Sequence, residues 1–311
     1  SFTQSPMSSS LPSFSSIAAI CEGSAFPVLP TSSLEGITGT WLPLPNNLQT
    51  TSYTFTPTSG LCALPETAVI VVNSLPTVSI NNITNTTILN CTQTSIGLNA
   101  IGSGSFTWSN GINPISTGSS LNVTSPGIYT LGILDQNGCV ANTSITISQD
   151  IANPTASIIN NSNVTELNCT QTSISLTGAG GATYSWSNGI NNIGNASSLT
   201  LFTPGTYTLT VTGANGCTDT EVITITQNNT APTAAISNGT TILDCNTTSI
   251  ALTASGGQNY SWSNATGVVG TNAQLQVTTA GTYIVTVTES NGCSDTETIT
   301  ITSQANTIPT F

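Results

Sequence analysis

The 311-residue sequence contains no lysine, no arginine and no histidine, and its 12 acidic residues give a formal charge of −12. Without a cationic side chain the protein has nothing to neutralise a phosphate, so we predict no binding to nucleic acid through basic residues. A histidine base, a lysine Schiff base and an arginine clamp are excluded on the same ground. Catalysis would have to rely on carboxylates and hydroxyls alone, and we therefore predict that the protein is not an enzyme.

Long hydrophobic runs are also missing. No apolar stretch approaches the roughly 20 residues that a membrane-spanning helix needs, so we predict no membrane insertion. Hydrophobic residues nevertheless make up 37% of the sequence, although only 4% of residues are charged. That much apolar surface is enough to build cores, and it predicts a folded chain rather than a disordered one.

Eight cysteines are spread along the chain, and neither a histidine nor a close Cys-x-x-Cys pair accompanies them. This pattern favours disulfides over a zinc site. We predict that disulfides contain Cys21, Cys62, Cys91, Cys139, Cys169, Cys217, Cys245 and Cys293. Because disulfides persist outside the reducing cytosol, the pattern also predicts an extracellular location.

Three near copies of one unit follow a divergent first unit. Blocks that begin CTQTSIGLNA, CTQTSISLTG and CNTTSIALTA start at Cys91, Cys169 and Cys245, and each ends 48 residues later on an Asn-Gly-Cys sequence. In the first unit, Cys21 and Cys62 are 41 residues apart. We predict domains at residues 1–74, 75–152, 153–230 and 231–304, with residues 305–311 as a linker or the start of a further unit.

Within each copy the hydrophobic residues alternate with serine or threonine, as do Tyr207, Leu209 and Val211. A period of two is typical of half-buried β-strands. Asn-Gly pairs lie between two such runs and predict type I′ hairpin turns. These pairs are Asn137 with Gly138, Asn215 with Gly216, and Asn291 with Gly292. The predicted fold class is all-β, a tandem array of four immunoglobulin-like β-sandwich domains.

Aromatic residues recur at fixed positions in the units. A tryptophan that stacks on a sugar is usually a unique feature, whereas a core position repeats from unit to unit. We therefore predict that the aromatic residues belong to the cores, each tryptophan packing beside a disulfide. They are Trp41, Trp108, Trp186, Trp262, Tyr129, Tyr207 and Tyr283.

Two disulfide pairing schemes are open. A bond that closes a 48-residue loop stabilises a small domain by about 4 kcal/mol in the chain-entropy model. This favours one bond in each unit: Cys21–Cys62, Cys91–Cys139, Cys169–Cys217 and Cys245–Cys293. However, the first cysteine precedes a strand and the second follows a hairpin turn, and in an immunoglobulin topology these places lie at opposite ends of the sandwich. The alternative is that the first cysteine of one domain bonds to the second cysteine of the next.

Two acidic pairs are candidate calcium ligands. Asp219 and Glu221, like Asp295 and Glu297, lie two residues apart on strands, so each pair faces one side. The copy that begins at Cys91 lacks the pair, and no D-x-D-x-D run occurs. We predict solvated surface carboxylates and no cofactor, with calcium as the alternative.

The repeated motifs resemble those of a known family. The blocks YSWSNG, GTYTLTVT and NGC at residues 184–189, 205–212 and 215–217 are similar to the PKD-like and SprB-type repeats of Bacteroidota surface proteins. The first unit, with ICEGSAFPVLPTSSLEGITGTW, resembles a repeat of large secreted adhesin-like and gliding-associated proteins of those bacteria. The resemblance implies export by the type IX secretion system and a location on the outer cell surface.

Taken together, these features predict a structural stalk or filament-forming segment of an extracellular adhesin. Its predicted partners are other copies of itself or adjoining repeats of the same polypeptide. Because the chain has no lysine to protect its sheet edges, strand exchange from end to end is expected, with residues 1–20 and 303–311 as candidate strands. The alternative function is a surface adhesion module that binds glycan, ice or calcium.

Overall fold

The computed structural model describes residues 9–304. The predicted linker at residues 305–311 and parts of both predicted exchange strands lie outside this range. No helix occurs between residues 9 and 304, where 29 strands form the regular structure. The chain divides into two compact halves, Ser1–Ile151 and Ala152–Phe311.

The first half contains a small N-terminal unit. Its strands are β1 (Ile20–Cys21), β2 (Gly39–Leu42), β3 (Thr51–Pro57), β4 (Glu66–Ile70) and β5 (Val72–Asn73). Strands β2, β3 and β4 form an antiparallel sheet in that order, and β1 pairs in parallel with β5. Residues 9–14 fold against this unit, since the Ser10 amide donates to the Cys62 carbonyl at 3.0 Å and Pro12 is buried.

One β-sandwich, sandwich A, completes the first half. Its strands are β6 (Val78–Asn82), β7 (Ile88–Asn90), β8 (Ile96–Gly102), β9 (Ser105–Ser109), β10 (Pro114–Ser116), β11 (Ser120–Val123), β12 (Gly127–Leu134) and β13 (Val140–Asp150). A five-stranded sheet in the order β10-β9-β12-β13-β7 packs on a three-stranded sheet in the order β11-β8-β6.

The second half contains two further sandwiches with the same strand order. Sandwich B consists of β14 (Ser157–Asn160), β15 (Glu166–Asn168), β16 (Ile174–Ala179), β17 (Thr183–Ser187), β18 (Asn192–Gly194), β19 (Ser198–Leu201), β20 (Gly205–Thr212) and β21 (Thr218–Asn228). Sandwich C consists of β22 (Ala235–Ser237), β23 (Ile242–Leu243), β24 (Ile250–Ser255), β25 (Asn259–Asn264), β26 (Gly267–Gly270), β27 (Gln274–Val277), β28 (Gly281–Thr288) and β29 (Ser294–Ser303). Their five-stranded sheets are β15-β21-β20-β17-β18 and β23-β29-β28-β25-β26.

Each sandwich encloses a buried tryptophan. Trp186 of sandwich B has no exposed surface, and its indole N–H donates to the Ala196 carbonyl at 3.0 Å. Burial of the indole therefore leaves no polar atom unpaired. Trp108 and Trp262 repeat this arrangement in sandwiches A and C. The disulfides Cys21–Cys139 and Cys169–Cys293 lie outside these cores, so the prediction that a disulfide packs beside the tryptophan is wrong for these two bonds.

A buried tyrosine near the start of the seventh strand of each sandwich completes the pattern. The Tyr207 hydroxyl donates to the Thr203 carbonyl at 2.8 Å, and Tyr129 and Tyr283 make the corresponding bonds. A tyrosine corner of this kind, with a buried tryptophan and two packed, mainly antiparallel sheets, is typical of the immunoglobulin-like sandwich. The structure therefore confirms an all-β array for three sandwiches, beside an N-terminal unit that is smaller.

The N-terminal unit differs from the sandwiches in its tryptophan. Trp41 lies on β2, at the edge of a three-stranded sheet, and it is only partly buried. It packs against Phe14 and Phe55, with ring centroids 4.7 and 5.3 Å away, while Tyr53 and Phe55 are fully buried. An edge position leaves one face of the indole uncovered, so the core role predicted for Trp41 is taken by Tyr53 and Phe55.

Candidate functional site: disulfide junctions between consecutive units

The parallel strand pair at one edge of each unit fixes where the first cysteine lies. In sandwich B, β15 pairs in parallel with the end of β21, so that Asn168 lies opposite Asn228. Cys169 therefore lies just beyond the C-terminal end of β21. Cys217 lies at the other end, immediately before Thr218 begins this 11-residue strand.

These positions exclude the disulfide scheme of one bond per unit. At about 3.3 Å per residue, the length of β21 separates the two cysteines by roughly 35 Å. A disulfide requires Cα atoms about 4.4 to 6.8 Å apart. The predicted pair Cys169–Cys217 is therefore wrong, and the equivalent strands exclude Cys91–Cys139 and Cys245–Cys293 in the same way.

The observed disulfides join consecutive units. Cys21 of the N-terminal unit bonds to Cys139 of sandwich A, with a Cα–Cα distance of 5.6 Å, so the predicted pair Cys21–Cys62 is also wrong. Cys169 of sandwich B bonds to Cys293 of sandwich C, with a Cα–Cα distance of 5.0 Å. The alternative scheme, in which the first cysteine of one unit bonds to the second cysteine of the next, is confirmed for these two bonds. Cys91 and Cys217 are disulfide-bonded as well.

The remaining two cysteines lie on the surface. Cys245, which was predicted to bond with Cys293, is an exposed free thiol. Cys62 is exposed in the connection between β3 and β4. Cys245 occupies the same place in sandwich C that Cys169 occupies in sandwich B, because β23 pairs with the end of β29 as β15 pairs with the end of β21.

The second cysteine of each junction is held by a hairpin turn. In sandwich C the Gly292 amide donates to the Glu289 carbonyl at 3.0 Å, and the Glu289 amide donates to the Cys293 carbonyl at 2.9 Å. Gly292 has φ +75°, but Asn291 is not among the residues with positive φ. A type I′ turn needs positive φ at both central residues, so the predicted turn type is wrong. The turn is a three-residue loop, a type I turn followed by a left-handed glycine, and the same hydrogen bonds recur in sandwiches A and B.

Asn291 locks this turn onto the preceding sandwich. Its side-chain amide donates to the Thr230 carbonyl at 2.9 Å and to the Asn228 Oδ1 at 3.1 Å, and its own Oδ1 accepts from the Cys293 amide at 3.0 Å. Only 8% of Asn291 is exposed. A buried amide with several partners is costly to unpair, so the polar contact and the disulfide hold the same turn.

Contact between the turn and the cysteine loop is close. A Cβ atom added to Gly292 would clash with the Thr170 side chain of sandwich B. Glycine is needed here for two reasons, the positive φ and the close approach of the neighbouring unit. Sequence reasoning treated Asn291 and Gly292 as turn formers only. The recurrence of Asn-Gly beside each second cysteine was the available signal for a junction.

The loop that contains Cys169, residues 168–171, is held in shape by its own hydrogen bonds. The Asn168 Oδ1 accepts from the Thr170 amide at 3.0 Å and from the Gln171 amide at 2.7 Å, and the Asn168 amide donates to the Gln171 carbonyl at 2.9 Å. This Asx turn presents Cys169 on a loop whose backbone is already satisfied. Leu167, which is 1% exposed, anchors the same segment in the core.

The predicted acidic pairs have a structural use within the second half. The carboxylate Oδ2 of Asp219 accepts from the Ala156 amide at 2.8 Å, and that of Asp295 accepts from the Ala234 amide at 2.9 Å. The bond from Ala234 lowers the pKa of Asp295. Glu221 and Glu297 are exposed on the surface. Residues 9–304 contain no group of three or more histidine, cysteine, aspartate or glutamate side chains placed to hold a metal ion.

A second surface feature lies in the N-terminal unit. Trp41 lines an open groove with proline and apolar residues, and its indole N–H donates to the Pro30 carbonyl at 2.8 Å. Glu35 lies apart from the groove and accepts from the Ser13 hydroxyl, from the Ser13 amide at 2.9 Å and from the Ser33 hydroxyl at 2.7 Å. The bonds from Ser13, followed by that from Ser33, lower the pKa of Glu35 to about 2. Glu35 thus holds the N-terminal segment on its own unit.

The chain shows no match to a protein-family model. It also has no match among curated proteins. Among solved structures it is similar to a 1.5-MDa bacterial ice-binding adhesin, with 14% identity over 75% of this chain and 98% of that chain and a TM-score of 0.43. It is similar to three titin immunoglobulin domains, with 12% identity over 74% of this chain and 99% of that chain and a TM-score of 0.36. For three domains of the outer capsid protein Hoc of bacteriophage RB49 the identity is 14%, the coverage 73% and 95%, and the TM-score 0.29.

The immunoglobulin-like assignment rests on the strand order and register described above. In the described part of the chain, no helix is long and apolar enough to cross a lipid bilayer. The disulfides indicate an extracellular protein. What the described residues build is therefore a set of sandwiches of a kind typical of non-catalytic proteins, with covalent and polar junctions between consecutive units.

Proposed function

We propose that this chain is a tension-bearing spacer, a stalk or filament segment of four units in an extracellular bacterial adhesin-like protein, without catalytic activity. The observation that carries the proposal is the disulfide pairing between consecutive units. In each of the two described junctions, the bond links the first cysteine of one unit to the cysteine at the hairpin turn of the next.

These disulfides shorten the covalent path along the chain. The Cys21–Cys139 bond spans a sequence separation of 118 residues, and the Cys169–Cys293 bond spans 124. When the two chain ends are pulled apart, the force passes through the disulfides, and the residues between the bonded cysteines carry no tension. The force still acts on the residues outside the bonded loops, which include β13, β14, β15 and β29, so the disulfides limit how far the sandwiches can be extended.

Several carboxylates are used in the chain's own structure. The carboxylates of Glu35, Asp219 and Asp295 accept hydrogen bonds from the chain's own backbone or hydroxyl groups. Their use in local structure supports a non-catalytic role. In an array of this kind, length grows with the number of units, because each unit contacts only its neighbours.

The cell surface is the location that fits this function. An oxidising compartment is required for the disulfides to persist. The resemblance of residues 76–304 to Bacteroidota surface repeats supports export by the type IX secretion system, which would place the segment outside the outer membrane.

Single-molecule force spectroscopy of the full chain, held at its two ends, tests the proposal. At about 3.5 Å per residue, the oxidised chain should stop extending near roughly 240 Å, because only the residues outside the two bonded loops stretch. After reduction it should extend to roughly 1,100 Å, with a series of unfolding events. An oxidised chain that extends as far as the reduced chain would contradict the proposed function.

A further inference from the structure

The loop around Cys245 in sandwich C has the geometry of the loop that receives a neighbouring unit in sandwich B. The Asp244 Oδ1 accepts from the Asn246 amide at 2.8 Å and from the Thr247 amide at 2.7 Å, and the Asp244 amide donates to the Thr247 carbonyl at 3.1 Å. The same three bonds shape the loop of Cys169, with Asn168 in place of Asp244.

The support beneath the two loops is also the same. Leu243 is 8% exposed and lies in the core of sandwich C, as Leu167 lies in the core of sandwich B. Strand β23 pairs in parallel with β29 through Ile242 and Thr302. The loop of Cys245 is therefore preorganised, and its thiol is exposed and free.

The junction between sandwiches B and C shows what such a loop binds. The turn of sandwich C brings Asn291, Gly292 and Cys293 onto the loop of sandwich B, and it buries both the amide and the second cysteine. A loop with the same backbone, the same anchor and a cysteine at the same place fits the same occupant. The same kind of interface already joins sandwiches B and C.

We propose that the loop around Cys245 is a docking and disulfide site for the Asn-Gly-Cys turn of a further sandwich unit joined to the C-terminal side of this one. The inference deepens the proposed function, on which it rests, because it states how the array continues. The Cys245 thiol and the turn thiol give up two protons and two electrons to a disulfide oxidant such as oxidised glutathione, which is reduced to two thiols. The product is one Sγ–Sγ bond.

An extended chain tests the inference. Residues 1–308 are followed by a second copy of residues 154–230, so that the added unit begins where Pro309 stands in the parent chain and a linked peptide with Cys245 is unique. The protein is folded in a glutathione buffer and digested without reduction, and the linked peptides are identified by mass spectrometry. We expect Cys245 to be linked to the turn cysteine of the added unit in most molecules. In the parent chain the Cys245 peptide should carry a free thiol.

Two controls sharpen the result. Cys245→Ser in the extended chain should leave the turn cysteine of the added unit reactive towards a thiol reagent. A second extension with residues 76–152 replaces the first if the added unit shows no β-structure by circular dichroism. If either folded extension keeps Cys245 as a thiol, bonds the two cysteines of the added unit to each other, or forms a Cys245–Cys245 dimer, the inference is overturned.

The failure of this inference is distinguishable from failure of the spacer function. Force spectroscopy of the parent chain depends on the Cys21–Cys139 and Cys169–Cys293 bonds and not on Cys245. If the oxidised parent chain stretches only to the short length and Cys245 stays unlinked in the extended chain, the spacer function is supported and the docking site is contradicted.

Discussion

The core of sandwich B and its junction with sandwich C are stabilised in different ways. The core contains Trp186, Leu176, Leu209 and other apolar side chains with no exposed surface, and no covalent cross-link. The junction contains a disulfide and a buried amide. In antibody domains the disulfide crosses the core and packs on the tryptophan. The difference indicates that apolar burial folds sandwich B, while the disulfide holds sandwich C to it.

Removing the junction disulfide should cause the largest loss in the free energy of unfolding. In the chain-entropy model a bond spanning 124 residues stabilises the joint folding of sandwiches B and C by about 5 kcal/mol. We expect the double variant Cys169→Ser with Cys293→Ser to lose about that much in denaturant unfolding and to keep its far-UV circular dichroism spectrum. Cys245→Ser, at the equivalent loop of sandwich C, is the control and should leave stability unchanged. Loss of β-structure in the double variant would show that the bond supports the cores themselves.

Removing the buried tryptophan of sandwich B tests how much the apolar core contributes to stability. Trp186→Ala should lower the free energy of unfolding by about 3–5 kcal/mol, because it deletes a fully buried indole and leaves a cavity. The Cys169–Cys293 bond should still form in the folded fraction. Trp41→Ala serves as the control, and its loss should be smaller since Trp41 is partly exposed. Equal losses for the two variants, measured by guanidinium titration, would contradict the assignment of Trp186 to the core.

The polar half of the junction should contribute less than its disulfide. Asn291→Ala leaves the Thr230 carbonyl and the Asn228 side chain without their donor, and we expect a loss of about 1–3 kcal/mol. Asn137→Ala changes the same turn position in sandwich A, where the asparagine side chain is exposed, and should cost less. The Cys293 amide donates a hydrogen bond to the Asn291 side chain, so faster hydrogen exchange at this amide reports loosening of the turn. Unchanged exchange in the Asn291→Ala variant would contradict the role of Asn291 in holding the turn.

The smallest expected effect lies in the N-terminal unit, where the Glu35 carboxylate holds the segment around Ser13. The folded pKa of Glu35, about 2, lies below the reference value of 4.5, so its contribution is present above pH 4.5 and is lost as the pH falls towards 2. We expect protection of the Ser13 amide against hydrogen exchange to follow this window. Glu35→Gln should weaken protection at neutral pH, while Glu22→Gln, an exposed change in the same unit, should not. Protection that is independent of pH between 5 and 2 would contradict the role of Glu35.

Much of the fold could be predicted because the alternation of apolar and polar residues along the chain indicates its strands. The alternation around Tyr207 and the recurrence of Trp186 reflect burial on one face of a strand, which a sequence pattern records directly. The disulfide pairing was harder, because the favoured scheme used loop length and gave less weight to strand direction. The parallel pairing of β15 with the end of β21 decides the matter, and a three-residue strand such as Glu166–Asn168 gives a weak sequence signal.

The roles of individual polar side chains were the least predictable part. Asp219 and Asp295 appeared as candidate calcium ligands, although each accepts a bond from a backbone amide about 60 residues earlier. Such contacts depend on where two distant segments meet in space, and no local pattern encodes them. Asn291 was recognised as a turn residue, but its burial depends on the neighbouring sandwich.

Non-reducing peptide mapping of the native chain distinguishes disulfides between units from disulfides within them. Trypsin has no cleavage site here, and cleavage after acidic residues leaves Cys169 and Cys217 on one peptide, so chymotrypsin must be added. The account predicts one linked pair of peptides with Cys21 and Cys139 and another with Cys169 and Cys293. Peptides that link Cys91 to Cys139 or Cys169 to Cys217 would show that the disulfides close the individual sandwiches, and would contradict the account.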